Sequence, residues 1–327
     1  MMNQDDAPVN NTTINATNTQ AIKSLETIAL EGIKEQRRAR RWSIFFKLFF
    51  MAYLLGFLLL FSGIGQKESK LTTADKITAV VDIKGTIMDD AEASAELIVK
   101  SLQEAYENPK TKGILLRINS PGGSPVQAGI INDEIRRLKA AHKDIPVYAV
   151  VTDICASGGY YIAVAADKIY ADKASIVGSI GVRMDNFGFT GLMEKLGVQR
   201  RLYTAGANKG MLDPFLPENP EQVEFVKNLL NTTHQQFINV VKQGRGSRLK
   251  DNPDLFSGLF WTGEDAVKLG LIDGLANDAH IAREEFKAEA MVNFTGEKDI
   301  LQSLSRRIES SVKSLLNFTT HTQAILH

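Results

Sequence analysis

Cysteine is nearly absent from this chain of 327 residues, which has a single thiol at Cys155. A lone cysteine excludes an intramolecular disulfide and any CxxC metal or redox motif. The five histidines are scattered without metal-ligand spacing, and no HExxH sequence occurs. An excess of either charge is also missing, since 38 basic residues balance 38 acidic ones. The sequence therefore indicates no metal, no other cofactor and no nucleic-acid partner, because nucleic acids select a basic face.

One long apolar run is present, at residues 42–64. It exceeds the roughly 20 residues that a helix needs to cross a bilayer, and its only charge, Lys47, lies near one end. A buried core helix or a cleaved signal peptide is the alternative. The basic residues just before the run predict a transmembrane helix with its N-terminus in the cytoplasm. They are Arg37, Arg38, Arg40 and Arg41.

The position of this span divides the rest of the chain. Residues 1–41 are predicted to be a cytoplasmic segment, disordered over residues 1–20 because these are rich in Asn, Thr and Gln. Residues 65–75 form a linker, and residues 76–290 form a globular domain outside the cytoplasm. Residues 291–327 form a tail with a basic amphipathic helix. That helix packs on the domain or on a neighbouring subunit, or it lies on a membrane surface.

Short apolar strands alternate with amphipathic helices after residue 76. Strands are predicted at residues 77–85, 113–120, 146–153, 168–171, 175–182 and 198–206. Helices are predicted at residues 91–107, 126–141, 155–166 and 221–243. This repeated order predicts an α/β domain whose parallel strands are joined by right-handed crossovers.

The sequence RINSPGGSP, at residues 117–125, predicts a turn between a strand and a helix. Pro121 stiffens the turn, and Gly122 and Gly123 leave backbone N–H groups unshielded by side chains. Such a turn is an anion site and, in acyl transfer, half of an oxyanion hole. A plain glycine turn without any chemistry is an equal alternative.

The sequence DICASGGYYIA, at residues 153–163, puts Ser157 between small residues at a strand-to-helix turn. The carboxyl end of a strand is where α/β sheets hold their sites, and the following helix dipole favours a developing negative charge. Ser157 is thus a candidate nucleophile, with the N–H of Gly158 as an oxyanion donor. Taken alone, the pattern fits better a serine that caps the helix. Cys155 is expected to be a small buried residue.

A nucleophilic serine needs a base, and no histidine of this sequence sits in a turn beside a strand end. Lysine is the remaining option, and Lys209 follows a predicted strand in a stretch with few charges. A lysine works as a base only where an apolar pocket desolvates its amine. Ser179 is a candidate hydroxyl partner that would orient the lysine. The alternative for Lys209 is a solvated loop lysine, which is the more frequent case.

Four segments together resemble the SppA-type signal peptide peptidases, in the short form with one protease domain. They are INSPGGS, CASGGYYIA, ASIVGSIGV and TAGANKGMLDPF, in that order. The resemblance covers residues 75–290, and the N-terminal apolar span agrees with it. It implies a ClpP/crotonase-like α/β fold preceded by one transmembrane helix.

The resemblance also implies a role for each matching residue. Ser157 would be the nucleophile and Lys209 the general base of a Ser/Lys dyad, with Ser179 as the partner of the lysine. Gly123 and Gly158 would be the oxyanion donors. The family further implies a homo-oligomeric ring, in which the dyad could be completed across a subunit boundary.

The predicted function is a membrane-anchored serine endopeptidase that degrades remnant signal peptides at the outer face of a bacterial inner membrane. Its partners would be peptide substrates, the lipid around the N-terminal anchor, and further copies of the chain. An acyl-CoA enzyme of the crotonase type would use the same Gly-Gly turn, but it predicts a cytoplasmic domain and gives no role to Ser157. A membrane scaffold that keeps the fold without the chemistry is the third alternative.

Overall fold

The chain divides into two compact units, residues 1–68 and residues 69–327. The computed structural model describes the backbone of residues 11–61 and 74–296. Side chains are described over residues 30–57 and again from residue 74 to residue 296.

Helix α1 (Asn11–Phe61) is the described part of the first unit. The prediction of disorder over residues 1–20 is wrong for residues 11–20, whose backbone is helical. Helix propagation explains the difference, because each residue added to an existing helix gains a backbone hydrogen bond. Residues 1–10 lie outside the described part of the chain.

The large apolar side chains of α1 between residues 42 and 57 are exposed within this unit. They include an aromatic cluster in which Trp42 stacks on Phe46 at a centroid distance of 5.6 Å. Among the residues that the structure describes, no helix combines the length and the apolar character needed to cross a membrane. The transmembrane helix predicted at residues 42–64 is therefore not confirmed, and residues 62–64 lie outside the described part.

The second unit is built on one mixed sheet of eight strands. In chain order the strands are β1 (Ile77–Lys84), β2 (Thr111–Ser120), β3 (Val147–Ala156), β4 (Lys168–Ala171), β5 (Ile176–Gly178), β6 (Phe260–Thr262), β7 (Gly274–Leu275) and β8 (Met291–Asn293). The main path runs β6-β5-β3-β2-β1-β8, and β4 pairs with β3 and β7. Every pairing in this sheet is parallel except that of β5 with β6. The predicted α/β class with repeated βα units is confirmed.

Helices connect most of these strands. They are α2 (Ala95–Glu107), α3 (Pro125–Ala141), α4 (Gly158–Ala163), α5 (Thr190–Lys195), α6 (Pro220–Arg245), α7 (Gly263–Lys268) and α8 (Asp278–His280). Single helical turns of other types lie at Gly246–Arg248, Pro253–Phe256 and Ile281–Glu285.

The sheet buries apolar side chains on both faces. In β1, Ala79, Val81 and Ile83 belong to the larger core, which includes residues of α2, α3 and α4. Val80, which alternates with them, belongs to a smaller cluster with Phe286. Because successive side chains of a strand point to opposite faces, the sheet is covered on both sides. Burial on both faces explains the nearly continuous apolar runs of its parallel strands.

Two predicted strands differ from the structure. The strand predicted at residues 175–182 ends at Gly178, and residues 198–206 form no strand. A strand needs a neighbour for its backbone hydrogen bonds. Both edges of β5 are taken, by β3 and by β6, so residues 198–206 have no free edge there to join.

The domain also extends further than predicted. Its predicted end at residue 290 is too early, because β8 pairs with β1 and closes that edge of the sheet. This strand could not be predicted from the sequence, because only three of its residues pair with β1. The amphipathic helix predicted within residues 291–327 lies beyond Gly296, outside the described part.

A buried ion pair ties the end of α6 to the sheet. Arg245 is 2% exposed, and its Nη1 and Nη2 donate to Asp273 at 2.8 and 3.1 Å. Asp273 also accepts from the Ile169 amide of β4 at 2.7 Å. Burial raises the pKa of Asp273, but the Arg245 guanidinium, the Ile169 amide and Arg248 together outweigh burial and hold this pKa below its usual value.

Replacing this arginine (Arg245→Leu) is expected to lower the free energy of unfolding by about 3 kcal/mol, because Asp273 would stay buried with only the more exposed Arg248 as a partner, at 3.1 Å. Urea denaturation of the full chain, followed by circular dichroism, measures the loss. Arg137→Leu is the matched control, since Arg137 pairs with Glu134 on the surface of α3, where such a pair contributes about 0–1 kcal/mol.

The contribution of Asp273 has a defined pH dependence. Its folded pKa is lowered, so the stabilisation is present above the usual carboxyl value of 3.8 and is lost as the pH falls through the folded value.

Equal losses of unfolding free energy in the Arg245 and Arg137 variants would contradict the role assigned to the buried pair.

Candidate active site

The carboxyl ends of β2 and β3 lie side by side and carry the two glycine-rich motifs. Ser120 pairs with Cys155 in the parallel register, so the turns that follow begin next to each other. A cleft of about 800 Å³ opens at these ends. The predicted site residues that line it are Ser157, Gly123, Gly158 and Ser179. The sheet therefore brings together residues from three separate segments of the chain.

Ser157 occupies a strained turn between β3 and α4. Its backbone has φ 51° and ψ −121°, a left-handed region that residues other than glycine rarely adopt. Its amide donates to the Gly178 carbonyl at 2.8 Å, and its carbonyl accepts from the Tyr161 amide at 2.9 Å. The side chain makes no capping hydrogen bond to α4. The alternative of a simple helix cap therefore does not fit, and the sharp turn instead resembles those that expose a nucleophile.

Gly122 allows the first turn to touch Ser157. A Cβ at Gly122 would lie 2.7 Å from the Cβ of Ser157 and 2.7 Å from the nitrogen of Gly158. Ser120 fixes this turn, since its Oγ accepts from the Gly122 amide at 3.1 Å and donates to the Gly85 carbonyl at 2.6 Å. Only glycine fits at position 122, where φ is also +101°.

Two backbone amides lie close together next to Ser157. A Cβ on Gly158 would lie 3.3 Å from the nitrogen of Gly123, so the two glycines are in direct contact. Within the described residues, no acceptor is found for either amide. Ile87 supports the turn from the other side, donating its amide to the Gly122 carbonyl at 2.9 Å. Unpaired amides beside a strained serine are the donors that an oxyanion hole requires.

Ser179 directly follows Gly178, the residue whose carbonyl accepts the Ser157 amide. The amide of Ser179 donates to the Leu259 carbonyl at 2.8 Å. Ser179 also has a left-handed backbone, with φ 54°, and lines the cleft. A second hydroxyl residue is thereby held beside the first.

Lys209 does not line this cleft. It lies in the long segment between β5 and α6, where its side chain is exposed. Its amide donates to the Gly206 carbonyl at 3.1 Å, which shapes the local turn. Within one chain, the predicted base and the predicted nucleophile therefore do not share a cleft.

Helix α6 supplies a wall of the cleft that the sequence did not predict. Thr233, Gln236 and Phe237 line it, and the ring of Phe237 packs on Tyr161 at a centroid distance of 5.1 Å. These residues share one helix face because they are three and four positions apart. This helical spacing is the only sequence feature that indicates the shared face. It does not predict which strand ends the helix crosses.

The other titratable groups near the cleft are engaged or buried. The Nε2 of His234 lies 3.1 Å from the Ile180 carbonyl. Cys155 is fully buried, as predicted, and burial raises the pKa of its thiol, which makes it unreactive. Of the described residues that line the cleft, Arg183 alone is charged. No group of three His, Cys, Asp or Glu side chains within the described ranges could hold a metal ion.

Replacing the contact glycine (Gly122→Ala) is expected to lower the rate of any acyl-transfer chemistry at Ser157 by at least about 100-fold, because the new methyl group displaces the oxyanion donors. Labelling with a serine-reactive phosphonate measures this loss. Gly129→Ala, in α3, is the matched control, since nothing lies within 4 Å of its added Cβ. Equal labelling of the two variants would contradict the geometry described for the two turns.

Two family models match the chain. The model of peptidase family S49 matches residues 139–293, which include Ser157, Ser179 and Lys209. The model of Clp protease matches residues 67–176, which include both glycine-rich motifs. Neither describes an acyl-CoA enzyme, so the crotonase alternative has no support from these matches.

Relatives with two kinds of name match the chain. A Na(+)/H(+) antiporter NhaA of Brucella melitensis is 51% identical over 57% of this chain, but the match covers 25% of the antiporter. A putative signal peptide peptidase SppA of Enterococcus faecium is 32% identical over 63% of this chain and 62% of its own length. A putative protease of Synechocystis sp. is 32% identical over 64% of this chain and 73% of its own length.

The extent of these matches differs. The chain spans a quarter of the length of the two Brucella antiporters, since 25% of each is covered. It spans more than two thirds of the Synechocystis protease, at 32% identity. The agreement of this relative with the S49 match and with the motifs at the two strand ends leads to one assignment. The chain belongs to peptidase family S49, among its SppA-type members.

Proposed function

We propose that this chain is a serine endopeptidase that cleaves apolar peptides with a Ser/Lys dyad. The observation that carries the proposal is the state of Ser157. Its backbone is strained, its side chain caps no helix, and two unpaired amides lie beside it. Strain of this kind persists where function requires it.

The proposed reaction has two steps. Ser157 Oγ attacks the peptide carbonyl while Lys209 accepts its proton, and the carbonyl oxygen becomes an oxyanion bound by the amides of Gly123 and Gly158. Lys209 then donates the proton to the leaving amine, and an acyl-enzyme remains on Ser157. Water, deprotonated by Lys209, hydrolyses this ester and restores the serine. Ser179 would orient the amine of the lysine between these transfers.

Lys209 is exposed in the single chain, so its amine must still be shielded from water before the proposed dyad can work. A lysine is a base at neutral pH only after its amine has been desolvated. We propose that a neighbouring copy in a ring supplies both the cover for this lysine and the Ser157 that it serves. Support comes from the large exposed apolar side chains between β5 and α6 and along α6. They include Phe187, Leu196, Tyr203, Phe225 and Leu229.

The proposed substrates are remnant signal peptides at the outer face of a bacterial inner membrane. The cleft carries little charge, since Arg183 is the one charged residue among those that line it in the described structure. The Enterococcus faecium relative is named a putative signal peptide peptidase. Apolar side chains of a signal peptide would meet Phe237 and Tyr161 on the wall of this cleft.

Removing either member of the dyad tests the chemistry. Ser157→Ala and Lys209→Ala should each abolish cleavage of an apolar fluorogenic peptide, since the nucleophile or its base is lost. Lys173→Ala, which removes another exposed lysine, should leave the rate unchanged. Ser157→Ala should also lose labelling by a phosphonate. Normal cleavage by the Ser157 or Lys209 variant would rule out the dyad.

Mixing the two inactive variants tests whether the dyad forms between subunits. When Ser157→Ala and Lys209→Ala chains are coexpressed in equal amounts, we expect about a quarter of the wild-type activity, because roughly a quarter of neighbouring pairs in a ring join an intact Ser157 to an intact Lys209. Each variant expressed alone is the control. No recovery in a ring that contains both chains would place the dyad within one subunit.

Membrane attachment through residues 42–64 stays a prediction, supported by the exposed apolar side chains of α1. The full chain is expected in the membrane fraction of cells, where it resists extraction with alkaline carbonate. Phe49→Arg together with Phe50→Arg should release it, since each arginine in a membrane core opposes insertion by about 2.5–3.5 kcal/mol. Leu30→Arg, outside the span, is the control. A wild-type chain that carbonate extracts would contradict the anchor.

A further inference from the structure

Lys209 lies on a loop whose two ends are joined by an ion pair. Arg200 donates from Nε and Nη2 to Oδ2 of Asp213, at 3.2 and 3.0 Å. Arg200 precedes the lysine and Asp213 follows it. The pair therefore closes residues 200–213 into a loop with Lys209 between its ends.

Asp213 is held more firmly than an ordinary surface carboxylate. Its Oδ1 accepts from the Phe215 amide at 2.9 Å, so both of its oxygens are bound. Its side chain is 11% exposed, whereas that of Arg200 is 42% exposed. The Phe215 amide, and then the Arg200 guanidinium, hold the pKa of Asp213 below its usual range. The aspartate is thus a fixed, charged anchor at neutral pH.

Two further contacts of this loop lie near its ends. A Cβ on Gly210 would lie 2.6 Å from a methyl carbon of Leu202, so the Leu202 side chain packs directly on the Gly210 backbone. Asn186 donates its side-chain amide to the Leu212 carbonyl at 2.9 Å. Residues 203–209 between these contacts are exposed. One contact from α6 reaches this exposed part, a long hydrogen bond of 3.4 Å from Nε2 of Gln222 to Oδ1 of Asn208. The position of Lys209 therefore depends mainly on the ends of the loop.

We propose that the Arg200–Asp213 ion pair is a positioning clamp, which fixes the loop that presents Lys209 to Ser157. The inference rests on the proposed function, because it matters only if Lys209 is the base. Neither Arg200 nor Asp213 lines the cleft of Ser157, so both act through the lysine. The rigid guanidinium fork suits this task, and a displacement of about 1 Å in a catalytic group lowers a rate by about 100-fold.

Breaking the clamp from either side tests it in the assembled full-length protein. Arg200→Met and Asp213→Asn should each lower kcat/KM for an apolar peptide by about tenfold or more, because the lysine is less well placed. Asn at position 213 keeps an oxygen for the Phe215 amide, so the local turn is retained. Arg201→Met is the matched control, since Arg201 is the next residue and is also exposed. It should keep the wild-type rate.

The split between kcat and KM separates positioning from a general loss of structure. A misplaced base slows the chemical step and leaves substrate binding intact, so Arg200→Met should lower kcat at an unchanged KM and an unchanged melting temperature. A variant that only misfolds would lower kcat together with the melting temperature. Arg200→Lys, which keeps the charge but not the fork, should restore part of kcat.

Combining the variants shows whether the two residues act as one unit. If they do, Arg200→Met with Asp213→Asn should lose no more activity than either single change. Equal kcat/KM for Arg200→Met and Arg201→Met, or losses that multiply in the double variant, would overturn the clamp. An active Lys209→Ala chain would instead overturn the proposed function, so the two failures are distinguishable.

Discussion

The contact between the Gly122 turn and the Ser157 turn is set by the parallel register of β2 and β3. Because Ser120 pairs with Cys155, the two turns begin at the same level of the sheet. Gly122 then packs on Ser157 so closely that a Cβ at position 122 would clash with it. The position of the amides of Gly123 and Gly158, and of the cleft itself, depends on that approach. A shift of the register by one residue would separate all of them and would also turn every core side chain of the strand outward.

Much of this arrangement could be predicted from the sequence because it is local. The apolar runs of β1, β2 and β3 are long enough to be recognised as buried strands, and each motif follows such a run directly. Gly122 and Gly123 are informative because only glycine leaves a turn backbone open to contact. The carboxyl ends of neighbouring parallel strands meet at one edge, so Ser157 and Gly123 could be expected to lie together.

The rest could not be predicted, because it depends on contacts between residues that are distant in sequence. Residues 198–206 have the composition of a strand, yet both edges of β5, the strand that precedes them, are already paired. The wall formed by Thr233 and Phe237 depends on where α6 crosses the sheet, which helical spacing does not encode. In the proposed ring, burial of Lys209 would depend on the surface of a neighbouring copy. The role of Arg200 was hidden for a simpler reason, since nothing in the sequence pairs it with Asp213.

The backbone of Ser157 has a consequence for how this chain can vary. At φ 51° every side chain meets a steric penalty that glycine escapes. The residue that would make the fold most stable at position 157 is therefore not the one that supplies a nucleophile. Under selection for stability alone, the serine would give way to glycine, and the result would be a better-folded protein without a hydroxyl in its cleft. At this single position, folding stability and the proposed chemistry therefore favour different amino acids.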